Sequence, residues 1–201
     1  MSSLRAAQKQ LTRRLLLESG LDVFESKGYA STTVDDIASG AGTTRTTFYL
    51  HFPSKAELMK SLIVDLNKML VSSDDPPLAG VVASGQPAQI QAWIERKVDQ
   101  WPEIKRCASA AHDAAASDAE ISIAVNRWFE GVIEDIRTGL DLADRFDPAS
   151  RHVRGTLAFG QLEFLSRRWF DTNWTESMPR DASVRLLVDS WCWLLTDRPV
   201  R

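Results

Sequence analysis

Eight side chains between residues 33 and 55 have the types and spacing to meet a polyanion: Thr33, Thr43, Thr44, Arg45, Thr47, Tyr49, His51 and Lys55. An arginine can donate two parallel hydrogen bonds to guanine O6 and N7, and a threonine methyl can lie against the thymine methyl. Hydroxyls, a phenol, an imidazole and an ammonium suit phosphate oxygens, which set a protein's register on a duplex without reading its sequence. Arg45 is therefore the candidate base reader, and Tyr49 and Lys55 are candidate backbone contacts. His51 has two readings, a phosphate contact or a helix-end cap. Thr33 has a similar pair, a phosphate contact or the N-cap of the helix that follows it.

Two short helices and a turn must position these groups. Val34, Ile37, Ala38 and Ala41 fall at i, i+3, i+4 and i+7, one apolar stripe on a helix of about two turns. Gly42 tolerates a positive φ and so ends that helix in a sharp turn. Thr43 or Thr44 can cap the next helix by accepting a backbone N–H. Phe48 and Phe52, four apart, share an inward face, which leaves Thr44, Arg45, Thr47 and Tyr49 facing out. Ala38 supplies the small side chain that two helices crossing at a steep angle require. A small residue on the first helix, a glycine turn and a polar second helix describe a helix-turn-helix.

The run TTVDDIASGAGTTRTTFYLHFPSKAEL, preceded by LLLESGLDVFESKGYAS, resembles the DNA-binding signature of TetR-family transcriptional repressors. The likeness covers roughly the first sixty residues and is dense, through TTV, IA, AG, FY, HF and the SK before Leu58. Gly20 stands where that family more often has alanine, and Thr46 where glycine is common. The resemblance implies a homodimer on a palindromic operator, released by a small-molecule effector. It also implies that the last two helices pair with their symmetry mates as a four-helix bundle. A ligand chamber is implied within residues 87–175, with Trp93, Trp101, His112, Trp128, Phe159, Glu163 and Phe164 as candidate lining. Plain core packing is the competing reading for each of these.

Composition agrees. The net charge is −3, yet residues 1–60 carry eight Lys/Arg against six Asp/Glu, while residues 61–201 carry sixteen against twenty-one. The mildly basic end holds the motif, as phosphate binding requires. Cys107 and Cys192 form no CxxC pair, which argues against a zinc site or a disulfide framework and fits a reducing cytoplasm. No uninterrupted apolar run follows the early basic residues, so no signal peptide is read. The longest apolar run, Trp191 to Leu195, is far short of the about twenty residues of a membrane span. GxSxG, HExxH, P-loop and GxGxxG motifs are absent, and so is the ExxH that would turn Glu130, Glu134 and Glu163 into a di-metal site. Neither an enzyme nor a cofactor is expected.

The periodicity predicts an all-α chain: an N-terminal three-helix DNA-binding domain at residues 1–52 and a helical regulatory and dimerisation domain at 53–201. The first helix opens at Ser2 or Ser3, reaches about Ser26 and is closed by Gly28. A fourth begins at Pro53 and carries Leu58, Leu62, Leu66 and Met69, a mechanical link between the two domains. Residues 72–86, with two prolines and two glycines, read as a long connection. Helices are then expected over about 87–100, from Pro102 to about 116, and from a Ser117/Glu120 capping box to about 143. Asp147-Pro148 opens another, to about Trp174, and Pro179 the last. Leu157, Gly160 and Phe164 on the penultimate helix, and Val184, Leu187, Val188, Trp191 and Leu195 on the last, are the expected dimer interface, with a deeply buried monomer core as the competing reading. Those helices are apolar on more than one side. The function read from all this is a ligand-responsive repressor. The alternative is a helical small-molecule-binding or protein-interaction module that does not regulate DNA.

Overall fold

A computed structural model describes residues 2–197, with side chains from Leu4 onward. Within them are nine helices: α1 Ser2–Lys27, α2 Val34–Gly40, α3 Arg45–Tyr49, α4 Lys55–Ser72, α5 Leu78–Ser84, α6 Pro87–Ser117, α7 Ala119–Leu142, α8 Pro148–Thr172 and α9 Arg180–Leu195. The described residues hold no strand, only an isolated bridge between Thr175 and Met178. None of these helices is long and apolar enough to cross a membrane. The Ser2 and Ser3 side chains, expected to cap α1, lie outside the described residues.

The chain forms two compact units, Met1–Asn67 with Arg106–Asn126, and Lys68–Lys105 with Arg127–Arg201. Helices α4, α6 and α7 contribute residues to both. The first unit is thus larger than residues 1–52. Leu58, Met59, Ile63 and Leu66 of α4, Ala114 of α6 and Ile121 of α7 are buried in it.

Local chemistry explains the first unit's shape. Gly28, at φ +79°, ends α1 while its N–H donates to Phe24 O at 2.9 Å. Tyr29 is then buried against Phe24, with ring centroids 5.2 Å apart. Thr33 and Asp36 form a reciprocal capping box at the start of α2. Gly20 is where α4 approaches α1: a Cβ there would meet Leu58 Cδ2 at 2.7 Å.

In the second unit, Trp93 of α6 stacks on Trp191 of α9 at 5.3 Å, and the Trp191 indole N–H donates to Ala158 O of α8 at 2.9 Å. Trp101, Trp169 and Trp174 make a second aromatic cluster. Lys97 and Asp74 form a buried ion pair at 2.7 Å, to which the Trp93 indole N–H also donates.

Three expectations need correction. Residues 72–86 are not one irregular connection, because Leu78, Val81 and Val82 stand at i, i+3 and i+4 and bury the inner face of α5. Pro102 does not start a helix; α6 runs through it for 31 residues. The missing amide hydrogen bond is tolerated there because Val98, Trp101 and Ile104 on both sides are buried and hold the segment helical. The cap between α6 and α7 is Asp118, which accepts the Glu120 N–H at 3.0 Å, whereas the Ser117 hydroxyl turns back to Ala114 O. Val184, Leu187, Val188, Trp191 and Leu195 are at most 8% exposed within the single chain. There they are largely covered by its own side chains, with Val184 and Val188 bordering an open cleft on α9. The apolar side chains that α9 leaves outside are Leu186 and Trp193, 66% and 68% exposed.

Candidate nucleic-acid interface

Helix α3 has five residues, too few to persist alone, since helix nucleation costs more than so short a segment returns. Two features hold it. Phe48 is wholly buried, 5.8 Å from Phe52, and Thr44 caps the helix by accepting the Thr47 N–H at 3.2 Å. Seating α3 on Phe48 turns Thr44, Arg45, Thr46 and Tyr49 outward to solvent. Thr43 and Thr47 are half-buried at the edge of that surface, with the Thr47 hydroxyl 3.0 Å from that of Thr44.

The Arg45 guanidinium is exposed but oriented. Its Nη1 donates to Asp35 Oδ2 of α2 at 2.7 Å and its Nη2 to the Tyr49 hydroxyl at 3.3 Å; its centre lies 5.6 Å from the Tyr49 ring centroid. Thr33 is exposed, but its hydroxyl and N–H are both engaged by Asp36. That carboxylate is held far below its ordinary range, first by Lys27 and then by Thr33. The capping reading of Thr33 is therefore present in the structure. His51 is half-buried with no hydrogen-bond partner at Nδ1. Burial, then Lys9 and Arg13, push its imidazole below the ordinary value. Arg13 itself lies over the Phe52 ring at 5.0 Å.

Lys55 is placed differently from the open phosphate contact expected of it. It is half-buried, and its ammonium donates to the carbonyls of Tyr29 at 2.7 Å, Ala30 at 3.3 Å and Thr32 at 2.9 Å, 4.4 Å from the Tyr29 ring centroid. Burial lowers its pKa. Lys55 thus ties the start of α4 to the turn between α1 and α2. Lys55→Met is expected to lower the stability of the first unit by about 1.5–3 kcal/mol, the usual worth of hydrogen bonds to a charged group. Chemical denaturation reads this directly. An unchanged midpoint would return the ammonium to a role facing solvent.

The same turn is pinned by two acids, Asp113 of α6 and Asp118 between α6 and α7. Tyr29 N–H donates to Asp113 Oδ2 at 2.8 Å and its hydroxyl to Asp118 Oδ2 at 2.7 Å, which holds the Asp118 carboxyl below its ordinary range. These partners lie 84 and 89 residues away, beyond any local spacing rule. Asp35 likewise acts through a contact between two helices. It faces Arg45 only because the turn at Gly42 folds α3 back towards α2.

The candidate ligand residues are dispersed. Trp93 and Trp101 are buried in the two aromatic clusters. Trp128 and Phe159 are half-buried, both near Phe129. His112 belongs to the first unit and the other six to the second. Glu163 is half-buried beside Arg167, whereas Phe164 is 67% exposed. An open cleft of about 330 Å³ in the second unit is lined by Gln91 and Glu95 of α6 and by Arg180 to Asp189 positions of α9, and none of the seven candidates borders it. Of the expected interface on α8, Leu157, Gly160 and Phe164 are exposed, and a Cβ on Gly160 would meet nothing within 4 Å.

Residues 16–62 match a family model described as bacterial regulatory proteins, tetR family. The chain is 35% identical over 105 residues to the HTH-type transcriptional regulator EthR of Mycolicibacterium smegmatis, covering 52% of this chain and 48% of that one. It is 41% identical over 61 residues to the HTH-type transcriptional regulator TtgR of Pseudomonas putida, covering 30% and 29%. The chain therefore spans about half or less of the length of the curated relatives it matches. Among solved structures, a chain described as a TetR-family transcriptional regulator of Syntrophomonas wolfei superposes with TM-score 0.73 at 16% identity, over 94% of this chain and 98% of that one. SmeT of Stenotrophomonas maltophilia, solved in complex with triclosan, gives TM-score 0.68 at 16% identity, over 88% and 90%. At such identities the superpositions show the shared all-α fold alone, and the family-model match covers the residues that carry α2 and α3.

Proposed function

We propose that this TetR-family transcriptional regulator, assigned by its residues 16–62, is a ligand-responsive repressor that binds a palindromic operator as a cytoplasmic homodimer and is released by a small-molecule effector. One observation carries the reading: buried Phe48 seats α3 with Arg45 and Tyr49 on its solvent face. A two-fold dimer would offer two such helices to successive major grooves, with half-sites about 34–36 Å apart or a multiple of that.

The dimer is supported by side chains that the chain itself leaves uncovered. Val153, Leu157 and Phe164 on α8 are 56%, 53% and 67% exposed at i, i+4 and i+11, one side of a helix. Leu186 and Trp193, seven apart on α9, are also left exposed. The effector is supported by the triclosan complex of SmeT and by the aromatic stock of the second unit. Helix α4 has residues in both units, so an effector that moved it would change the separation of the two readers. Operator must then weaken effector binding by the same factor, because coupling free energy is reciprocal. No step in this scheme asks for a catalytic group.

Footprinting of the DNA adjoining the chain's own gene tests the proposal. The native protein is expected to protect two half-sites, and Phe164→Glu, which puts a charge on the exposed face of α8, is expected to need a higher concentration for both. Protection of a single half-site by native protein, or none at all, would overturn the operator reading.

A further inference from the structure

We infer that Asp35 is a specificity-determining residue: it aims the Arg45 guanidinium at a base edge and disfavours DNA on which Arg45 finds no match. The inference rests on the DNA-reading role proposed above for α3. Its physical basis is the hydrogen bond from Arg45 Nη1 to Asp35 Oδ2 at 2.7 Å, made across the turn between two different helices.

Stability does not account for this pair. The two side chains are 58% and 63% exposed, and such ion pairs contribute little to folding. Nor is Asp35 needed to start α2, since the capping box belongs to Thr33 and Asp36. Geometry is what remains. A guanidinium has five N–H groups. Asp35 and the Tyr49 hydroxyl engage two of them, which leaves enough for the two parallel bonds that guanine O6 and N7 accept. With one η nitrogen tied to α2 and the other to Tyr49, the fork has fewer orientations to lose on binding. That is preorganisation of a flexible side chain.

The carboxylate also acts against the wrong sequence. It lies beside the cation on the surface proposed to face the phosphates, so it repels any duplex. On matched DNA, the aligned arginine offsets that repulsion; on mismatched DNA, nothing does. This is specificity by a repulsive element, at the cost of some general affinity.

Selection from a pool of randomised duplexes with the full chain tests the inference, followed by titration of an enriched duplex and a scrambled one. Native protein is expected to enrich a site at which Arg45→Ala loses preference for one base pair. Asp35→Ala and Asp35→Asn are expected to lose about tenfold in preference at that same pair. On the scrambled duplex both variants are expected to bind about two- to fivefold tighter at low salt, a gain that salt screens away. The opposite signs on the two duplexes distinguish aiming from support of the fold, since a structural defect weakens both. Parallel loss on both duplexes, or native preference retained by both variants, would overturn the role of Asp35. If native protein enriches a site but Arg45→Ala keeps every preference, the Arg45–Asp35 pair is not the reader and the inference falls while DNA binding stands. If native protein enriches nothing, the proposed DNA reading falls and the inference with it.

Discussion

Phe48→Ala is expected to cost the first unit about 3–5 kcal/mol, the usual range for truncating a buried phenylalanine. The side chain is 0% exposed and makes ring contacts with Phe52 at 5.8 Å and, edge-on, with Tyr49 at 5.6 Å. A domain's whole stability is about 5–15 kcal/mol, so this one change removes a large part of it. The effect is larger here than on a long helix, because α3 has only five residues and, Phe48 removed, keeps only the Thr44 cap of the two features that hold it. Urea denaturation should show a lowered midpoint, and binding to every duplex should fall together. Native stability in the variant would mean that α3 is held by something other than Phe48.

Arg45→Ala is expected to leave the fold intact and to change what is bound. An exposed arginine, paired only with exposed Asp35 and Tyr49, supports little of the structure. Losing a bidentate contact to guanine costs about 1–3 kcal/mol at one base pair and relaxes preference there. Titration against an enriched duplex and a scrambled one should therefore show an unequal loss. Equal loss on both would reject Arg45 as the reader and leave it a phosphate contact, for which the salt slope would fall by about one. The two variants thus separate the anchor of α3 from its reading surface: Phe48 affects all DNA, Arg45 one base pair.

Much of this was legible in the residues alone, where neighbours in sequence are neighbours in space. Gly28 and Gly42 adopt positive φ because the turns after α1 and α2 demand it, and glycine is the residue without a steric objection. Phe48 and Phe52, four apart, share an inward face, and Thr44 caps α3. Pro102 within α6 and the prolines and glycines over 72–86 do not break the chain as local punctuation predicts, because burial outweighs them. Proline and glycine bias the backbone by a few kcal/mol at most, and burial of Trp101 and Ile104, or of Leu78, Val81 and Val82, outweighs that bias.

What the amino-acid order determined by itself was the helical class, the turns and the outward places of Thr44, Arg45 and Tyr49 on α3, because each depends on interactions within a few residues, whereas Thr47 is half-buried and Thr46 is exposed in its stead. Tertiary structure alone decided which groups those side chains meet. It tied Lys55 to the carbonyls of residues 29, 30 and 32, brought Asp113 and Asp118 to Tyr29, and set Asp35 against Arg45. It also divided α9 into a buried side with Trp191 and an open side with Trp193. Periodicity shows how many faces of a helix are apolar, but only packing against other helices selects the face that is covered.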